Sequence, residues 1–135
     1  MNFWLIKQEP EEYSFDDLLK DEKTVWTGVR NFEARNNLRE MRVGDKVLVY
    51  HSVSEKAVVG LAEVSRASFL DPTDETEKWI AVEIKAIEKL SKPVTLGTIK
   101  AHSDLQKIGL IRRSRLSVLP VTEIEFQTIL SLANN

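Results

Sequence analysis

With 135 residues the chain has the length of one domain, which at this size buries about two thirds of the surface exposed by its unfolded form. The absence of cysteine excludes disulfide bonds, thiolate metal sites and cysteine nucleophiles, and the formal net charge of −2 argues against a protein that coats nucleic acid by bulk electrostatic attraction. Neither an export segment nor a membrane-spanning apolar run is visible, so we expect a cytoplasmic protein without a membrane partner.

The first half of the chain alternates short strands and helices. Ser14 and Asp17 match the pattern of a capping box, and Asn31 precedes apolar residues at helical spacing, so a helix is expected after each. Gly44 marks a turn after the second helix. In chain order we predict a strand over residues 3–7, a helix over 15–20, an extended segment over 24–26, a helix over 32–41 and a strand over 46–51.

The second half contains further strands and ends in a helix. Gly60 interrupts an apolar run and predicts a β-bulge, whereas Pro93 predicts the end of the next strand region. Gly109 is expected to end a helical turn, and Thr122 with Glu125 forms a second capping-box pattern. In chain order we predict strands over residues 57–64 and 79–87, a helix over 96–100, a helical turn over 103–108, a strand over 115–121 and a C-terminal helix. The apolar residues of that helix are expected to face inward: Ile124, Phe126, Ile129, Leu130 and Leu132.

These elements amount to five or six strands with three to four helices inserted between them. Because strands and helices do not alternate as β-α-β units, the pattern favours an α+β domain built on a small curled sheet or barrel. No internal repeat and no linker is visible, so residues 1–135 are expected to form a single domain. Barrels of this kind bind ligands at their mouths.

One loop combines residue types that suit a planar ligand. Trp26 stands beside Gly28, where the backbone is free to approach a ligand closely, so we interpret this indole as a binding residue. Arg30 and Asn31 follow, and each presents two polar groups in one plane, as the edge of a base requires. The alternative for this pair is structural: Asn31 caps the helix and Arg30 pairs with an acid.

Three residues with polar tips, Tyr50, His51 and Ser52, stand where a strand is expected to reach the surface. We interpret His51 as a hydrogen-bonding wall of a pocket. Neighbouring side chains on a strand point to opposite faces, so His51 and Ser52 do not simply form a catalytic dyad. The two histidines have no metal-ligand spacing, and no paired carboxylates occur at a recognisable spacing, so neither a metal site nor catalysis is expected.

Charge is distributed unevenly along the chain. Residues 9–23 carry seven acids and two bases, whereas residues 100–117 carry five bases and one acid. Arg112 and Arg113 suit phosphate, because a guanidinium binds two phosphate oxygens at once. The basic segment is therefore either a face that binds nucleic acid or a solvated surface.

An ordered set of motifs resembles the EVE domain family. The motifs extend over nearly the entire chain: Trp4-Leu5-Ile6-Lys7 with Glu9-Pro10 and Tyr13-Ser14, Trp26-Thr27-Gly28-Val29-Arg30-Asn31 with Ala34-Arg35-Asn36, Val43-Gly44-Asp45, Tyr50-His51-Ser52, and Arg115-Leu116-Ser117-Val118 with Pro120-Val121. Glu33 departs from the family pattern, in which glutamine is common at this position. The resemblance implies a PUA-like curled β-barrel with surrounding helices, related to the YTH modules that read modified bases.

The resemblance also implies a monomeric binding module, without a cofactor or metal, that holds a modified nucleobase in an aromatic pocket. The base would be flipped out of DNA or taken from RNA. The implied ligand-binding residues are Trp26, Gly28, Val29, Arg30, Asn31, Tyr50, His51, Ser52 and Ser117, and the implied contacts to the nucleic-acid backbone are Lys7, Arg112 and Arg113. Two alternatives stay open: an enzyme that acts on a nucleotide or small amide, and a pocket for a free nucleotide-like molecule.

Overall fold

Six strands form one mixed sheet in the computed structural model, which describes residues 1–134. In chain order they are β1 (Phe3–Gln8), β2 (Lys23–Trp26), β3 (Lys46–His51), β4 (Ala57–Leu70), β5 (Ile80–Thr95) and β6 (Val118–Val121). The sheet is curled and its strand order is β2, β5, β4, β3, β1, β6, so β2 and β6 are its edge strands.

Five α-helices are present within the described part of the chain, whereas three to four were expected. They are α1 (Phe15–Asp21), α2 (Phe32–Glu40), α3 (Leu96–Ala101), α4 (Gly109–Arg112) and α5 (Glu123–Ala133), and a 3₁₀ turn (Ser103–Leu105) lies between α3 and α4. The additional helix is α4. The prediction that Gly109 ends a helical turn was wrong: its carbonyl accepts a hydrogen bond of 2.6 Å from the backbone of Arg113, so Gly109 begins a new helix.

β1 lies inside the sheet and carries the chain toward the candidate site. It pairs in parallel with β3 and antiparallel with β6. Trp4, Leu5 and Ile6 are all buried, so both faces of this strand are covered. The polar residues Lys7 and Gln8 then reach the end of the sheet beside the end of β3.

The long strands β4 and β5 are bent by four shifts in their register. Gly60 lies at one of them, and a Cβ at this position would come within 2.4 Å of the Phe15 ring. The predicted bulge is therefore confirmed, and the missing side chain lets α1 approach the sheet closely.

Both strands are longer than predicted, since they cover residues 57–70 and 80–95 instead of 57–64 and 79–87. Pro93 does not end β5 as expected. The ladder passes directly from the pair Val58 and Val94 to the pair Gly60 and Lys89, so Pro93 lies in a bulge where no ladder hydrogen bond is required of it.

The predicted helix caps are present. Capping boxes begin α1 and α5, and the Asn31 side chain accepts from the backbone of Ala34 at the start of α2. The inward orientation of Ile124 was predicted wrongly, because this side chain is 70% exposed. Ile124 and the buried Phe126 are two residues apart, which places them about 200° apart around the helix axis.

Candidate functional site

A cavity of about 460 Å³, hereafter the main cavity, opens between the end of β1, the end of β2 and the loop that follows β2. It brings together six residues that the sequence predicted as contacts: Lys7, Trp26, Gly28, Val29, Arg30 and Ser117. Six further lining residues were not predicted: Gln8, Glu12, Tyr13, Thr24, Val25 and Thr27. The sequence did contain a signal for Gln8. It is a polar residue at the end of a strand, which is the feature that singled out Tyr50-His51-Ser52.

Trp26 forms one wall of the main cavity. It is the last residue of β2, where it pairs with Val82, and 8% of its surface is exposed. Its indole nitrogen donates to no group among residues 1–134, yet it is not sealed from solvent. A packed indole with a free N–H therefore borders the cavity and offers a hydrogen-bond donor to a ligand.

Asp71 fixes the loop that carries the cavity wall. One carboxylate oxygen accepts from the backbone of Gly28 at 2.9 Å and from Nη1 of Arg30 at 3.0 Å. The other accepts from the backbone of Thr73 at 2.7 Å and from its hydroxyl at 2.6 Å. Burial alone raises the pKa of Asp71, but the hydrogen bonds from Thr73, Gly28 and Arg30 outweigh it, and the pKa is lowered. The carboxylate therefore stays charged and holds the loop in place.

Asp71 was not among the predicted site residues, because it lies in a polar segment of the sequence with no apolar anchor. The contact with the backbone N–H of Thr73 forms an Asx turn, and Asp-Pro-Thr is a sequence that favours such a turn. That signal predicts the local turn. It does not predict that the second oxygen reaches Arg30, 41 residues away in the chain.

Arg30 lies at the rim of the main cavity with its guanidinium held from several sides. In addition to Asp71, it donates to the carbonyl of Val29 at 3.0 Å and to the hydroxyl of Thr73 at 3.2 Å. The side chain is still 40% exposed. The structural alternative for Arg30, pairing with an acid, is thus realised, while the side chain also lines the main cavity.

Lys7, which was predicted to contact the nucleic-acid backbone together with Arg112 and Arg113, lines the main cavity. Its ammonium donates to the carbonyl of Ser114 at 2.6 Å, and its backbone donates to the carbonyl of Ser117 at 3.0 Å. Burial lowers the pKa of Lys7. A cation with restricted access to water therefore borders the space that a ligand would occupy.

Tyr13 and Glu12, which precede the start of α1, also line the main cavity. The Tyr13 hydroxyl donates to Asp21 at 2.9 Å, which orients the ring. Burial and this hydrogen bond raise the pKa of Tyr13. The cavity is thus bordered by two aromatic side chains, Trp26 and Tyr13, and by both donors and acceptors.

The structure does not bring His51 to the main cavity. Its Nε2 accepts from the backbone of Phe15 at 3.0 Å, so the proton of the neutral ring resides on Nδ1, which lies 2.6 Å from Glu55. Both ring nitrogens are therefore occupied, and the buried His51 joins the start of α1 to the end of β3. The interpretation of His51 as a pocket wall does not agree with this geometry.

Tyr50, Ser52 and Asn31 also lie outside the lining of the main cavity. Tyr50 is buried in the core, and this burial raises its pKa. The backbone of Ser52 donates to the carbonyl of Gln8 at 2.9 Å, so Ser52 supports the end of β1. Asn31 caps α2, as its structural alternative predicted.

Comparisons with known proteins identify the family of this chain. A model of the EVE domain matches residues 2–132. The chain belongs to the EVE domain family. It is 30% identical to human thymocyte nuclear protein 1, and the alignment covers 96% of this chain and 72% of that protein.

Two solved structures are similar over almost the whole EVE domain. One is a protein of Agrobacterium tumefaciens, with a TM-score of 0.96, 41% identity, and coverage of 98% of this chain and 93% of that one. The other is human THYN1 in complex with DNA that contains 5-methylcytosine, with a TM-score of 0.92, 29% identity, and coverage of 100% and 99%. The family and the curled α+β architecture expected from the sequence are therefore confirmed.

Arg112 and Arg113 were predicted to contact phosphate. In this EVE domain they line a second cavity of about 270 Å³. Arg113 forms a two-pronged pair with Glu33, with N–O distances of 2.8 and 2.5 Å, and this pair lowers the pKa of Glu33. The guanidinium of Arg112 donates to the carbonyl of Gln106 at 3.2 Å. Asn31 also borders this second cavity, and its neighbour Arg30 borders the main one.

Within residues 1–134 of the EVE domain, no group of three or more histidine, aspartate or glutamate side chains converges as a metal site would require. The same residues contain no helix with the length and apolar character needed to cross a membrane.

Proposed function

We propose that this EVE domain is a binding module that recognises a modified nucleobase in nucleic acid and holds that base in the main cavity. The observation that carries the proposal is the unpartnered indole N–H of Trp26 at the wall of a cavity of about 460 Å³. This volume lies within the range of about 300–1,000 Å³ that is typical of ligand pockets. The similarity to human THYN1 in complex with 5-methylcytosine DNA supports the same assignment.

The chemistry of the lining suits the edge of a base. The Trp26 N–H and the Gln8 amide can donate to ring nitrogens and carbonyl oxygens, and the Glu12 carboxylate can accept from an exocyclic amine. Stacking on an aromatic ring contributes about 1–3 kcal/mol per base, and flipping a base out of a duplex costs a few kcal/mol. Binding therefore requires stacking and edge contacts together.

The loop that holds Arg30 is fixed before a ligand arrives. Asp71 constrains Gly28 and Arg30 through the same carboxylate oxygen, so the guanidinium loses little freedom when a nucleotide binds. Preorganisation of this kind increases affinity because the ordering cost has already been met during folding. It also favours discrimination by shape, which for one methyl group amounts to about 1–3 kcal/mol.

We propose binding rather than catalysis for this site. The enzyme hypothesis depended on His51, whose two ring nitrogens are both hydrogen-bonded away from the main cavity. The specific ligand that we propose is 5-methylcytosine in DNA, by analogy with the DNA bound to human THYN1. Cytoplasmic localisation and a monomeric state stay predictions.

The test is a binding titration with matched oligonucleotides that contain cytosine or 5-methylcytosine, each as DNA and as RNA. We expect the wild-type domain to prefer the methylated DNA by about tenfold. Trp26→Phe keeps an aromatic ring but removes the N–H, so it is expected to weaken binding to the methylated oligonucleotide. Ile124→Ala removes an exposed apolar side chain from α5 and serves as the matched control.

Two outcomes distinguish the alternatives. Equal affinity for methylated and unmethylated oligonucleotides would contradict the proposal. Binding of free nucleotides that is independent of salt and unchanged in the double variant Arg112→Ala with Arg113→Ala would instead favour a small-molecule pocket.

A further inference from the structure

An aromatic pair outside the main cavity is not used by the proposed function. The rings of Phe32 and Trp79 stack with their centroids 5.0 Å apart and an angle of 29° between their planes. Phe32 is the first residue of α2 and is 61% exposed, which is unusual for a side chain of this size. Trp79 immediately precedes β5 and is only partly buried.

The Arg35 guanidinium lies over both rings of this pair and leaves the far face of Phe32 free. Its guanidinium carbon lies 4.9 Å from the centroid of Phe32 and 5.6 Å from that of Trp79, which with the 5.0 Å between the rings makes a nearly equilateral triangle. The guanidinium therefore lies on the same side of Phe32 as Trp79, and not on the far face of Phe32. It is fixed by a hydrogen bond of 3.1 Å to the carbonyl of Lys78.

Arg30 connects the aromatic pair to the main cavity. Its guanidinium carbon lies 5.8 Å from the Trp79 ring, while the same residue lines the cavity. Asp71 pairs with Arg30, whereas Arg35 forms no ion pair among residues 1–134, and Glu33, the acid in the first turn of α2, is engaged by Arg113. A surface of two rings and two guanidinium groups thus begins at the cavity rim.

We propose that the exposed face of Phe32 stacks an unpaired base of a nucleotide adjacent to the one held in the main cavity. This inference rests on the proposed function and adds a second base-binding position to it. A nucleotide supplies both a flat π face for Phe32 and a phosphate for the flanking guanidinium groups. An aliphatic side chain of a protein partner would use the ring but not the charges.

The consequence is a preference for strands in which the base next to the modification is unpaired. A base within an intact duplex is already stacked on both faces, so it reaches Phe32 only after local opening. The domain is therefore expected to bind the modified base more tightly in single strands, or beside a mismatch, than in a fully paired duplex.

The experiment combines variants of Phe32 with abasic sites in the oligonucleotide. Single-stranded DNA with one 5-methylcytosine is prepared intact, with an abasic site on its 5′ side, and with an abasic site on its 3′ side. Phe32→Leu retains apolar volume but removes the ring, Phe32→Tyr retains the ring, and Ile124→Ala is the control for loss of an exposed apolar side chain. Thermal unfolding of each variant reports on the fold.

We expect Phe32→Leu to weaken binding of the intact strand by about fivefold or more, whereas Phe32→Tyr and Ile124→Ala retain it. On the strand that lacks the base stacked by Phe32, wild type and Phe32→Leu are expected to bind with equal affinity. Whether this is the 5′ or the 3′ abasic strand identifies the neighbour that is stacked. Unchanged binding of the intact strand by Phe32→Leu, or an equal loss on all three strands, would overturn the inference.

Failure of this inference is distinguishable from failure of the proposed function. If the second position is wrong but the main cavity binds the base, Trp26→Phe weakens binding of the methylated strand and Phe32→Leu does not. If the wild-type domain does not distinguish methylated from unmethylated strands, the proposed function fails, and the second position fails with it.

Discussion

The buried carboxylate of Asp71 lies 3.0 Å from Nη1 of the half-exposed Arg30, although 41 residues separate them in the chain. This contact ties the loop after β4 to the loop after β2. Because Gly28 donates to the same oxygen, one side chain determines both the backbone and the guanidinium position at the cavity rim.

Replacement of that carboxylate tests how far the cavity depends on it. Asp71→Asn retains one oxygen but turns the other acceptor into an N–H donor, which then faces either Thr73 or the pair of Gly28 and Arg30. We expect the free energy of unfolding to fall by about 1–3 kcal/mol, since buried donors lose their acceptor. Urea unfolding at pH 7 measures the change. Thr76→Ala, in the exposed part of the same loop, is the control, and an unchanged urea midpoint in Asp71→Asn would contradict the prediction.

Acid should destabilise the domain through Asp45. Burial raises the pKa of this carboxyl, but hydrogen bonds from the backbone of Asn2, the indole of Trp4 and the backbone of Arg42 outweigh it and lower the pKa. Between the lowered value and the ordinary value of about 3.9, the unfolded chain binds more protons than the folded one. The contribution of Asp45 is therefore fully present above pH 4 and is lost as the pH falls through the folded pKa.

Urea unfolding of wild type and Asp45→Asn from pH 7 down to pH 3 measures this contribution. We expect the variant to be less stable at pH 7 and to lose less stability than wild type below pH 4. Asp104→Asn, at an exposed position, should follow the wild-type curve. Parallel curves for wild type and Asp45→Asn would show that other carboxyl groups account for the acid sensitivity.

Two glycines provide a matched pair of substitutions. A methyl group at Gly60 would lie 2.4 Å from Phe15, so Gly60→Ala should reduce the free energy of unfolding by about 1–3 kcal/mol. At Gly97, in α3, the nearest atom to the new methyl group is 3.9 Å away, and alanine should stabilise the helix by about 0.5–1 kcal/mol. Opposite shifts in the urea midpoint are expected, and similar shifts would contradict the assigned contact with Phe15.

Glu33 is expected to limit the affinity for nucleic acid by occupying Arg113. Both side chains are about half exposed, so Glu33→Gln should leave stability nearly unchanged. It should strengthen binding of duplex DNA at low salt, and the slope of log K against log salt should steepen by about 0.9, because the released Arg113 neutralises one more phosphate. Asp16→Asn releases Lys89 from a similar exposed pair on another surface and is the control. An unchanged salt slope in Glu33→Gln would indicate that Arg113 does not reach a phosphate.

Local sequence signals predicted those parts of the fold that depend on neighbouring residues. The caps at Ser14, Asn31 and Thr122 are all present, because each is satisfied within three residues along the chain. The strand limits of β4 and β5 were predicted less well. Beyond Val64 and Ile87 these strands carry many exposed residues, so apolar alternation, the signal used to find strands, is lost there while the pairing continues.

The residues of the candidate site also divide into those that a short sequence motif predicts and those whose role depends on partners distant in the chain. Trp26, Gly28 and Arg30 were identified because an indole beside a glycine and an arginine is visible as a short motif, and the structure brings all three to the main cavity. His51 attracted attention for its residue type. Its partner is the backbone N–H of Phe15, 36 residues away, and sequence patterns contain no information about a backbone group at that separation.

The position of β1 also affects how the protein is made, since Phe3 pairs with Val121 near the other end of the chain. During translation β1 leaves the ribosome before its antiparallel neighbour β6, because more than 100 residues separate the two strands in the chain. Until then the nascent chain presents a largely apolar strand with an unpaired edge, which other nascent chains can join. Emergence of residues 118–121 from the exit tunnel ends this exposure, because β6 then pairs with β1 and covers its edge.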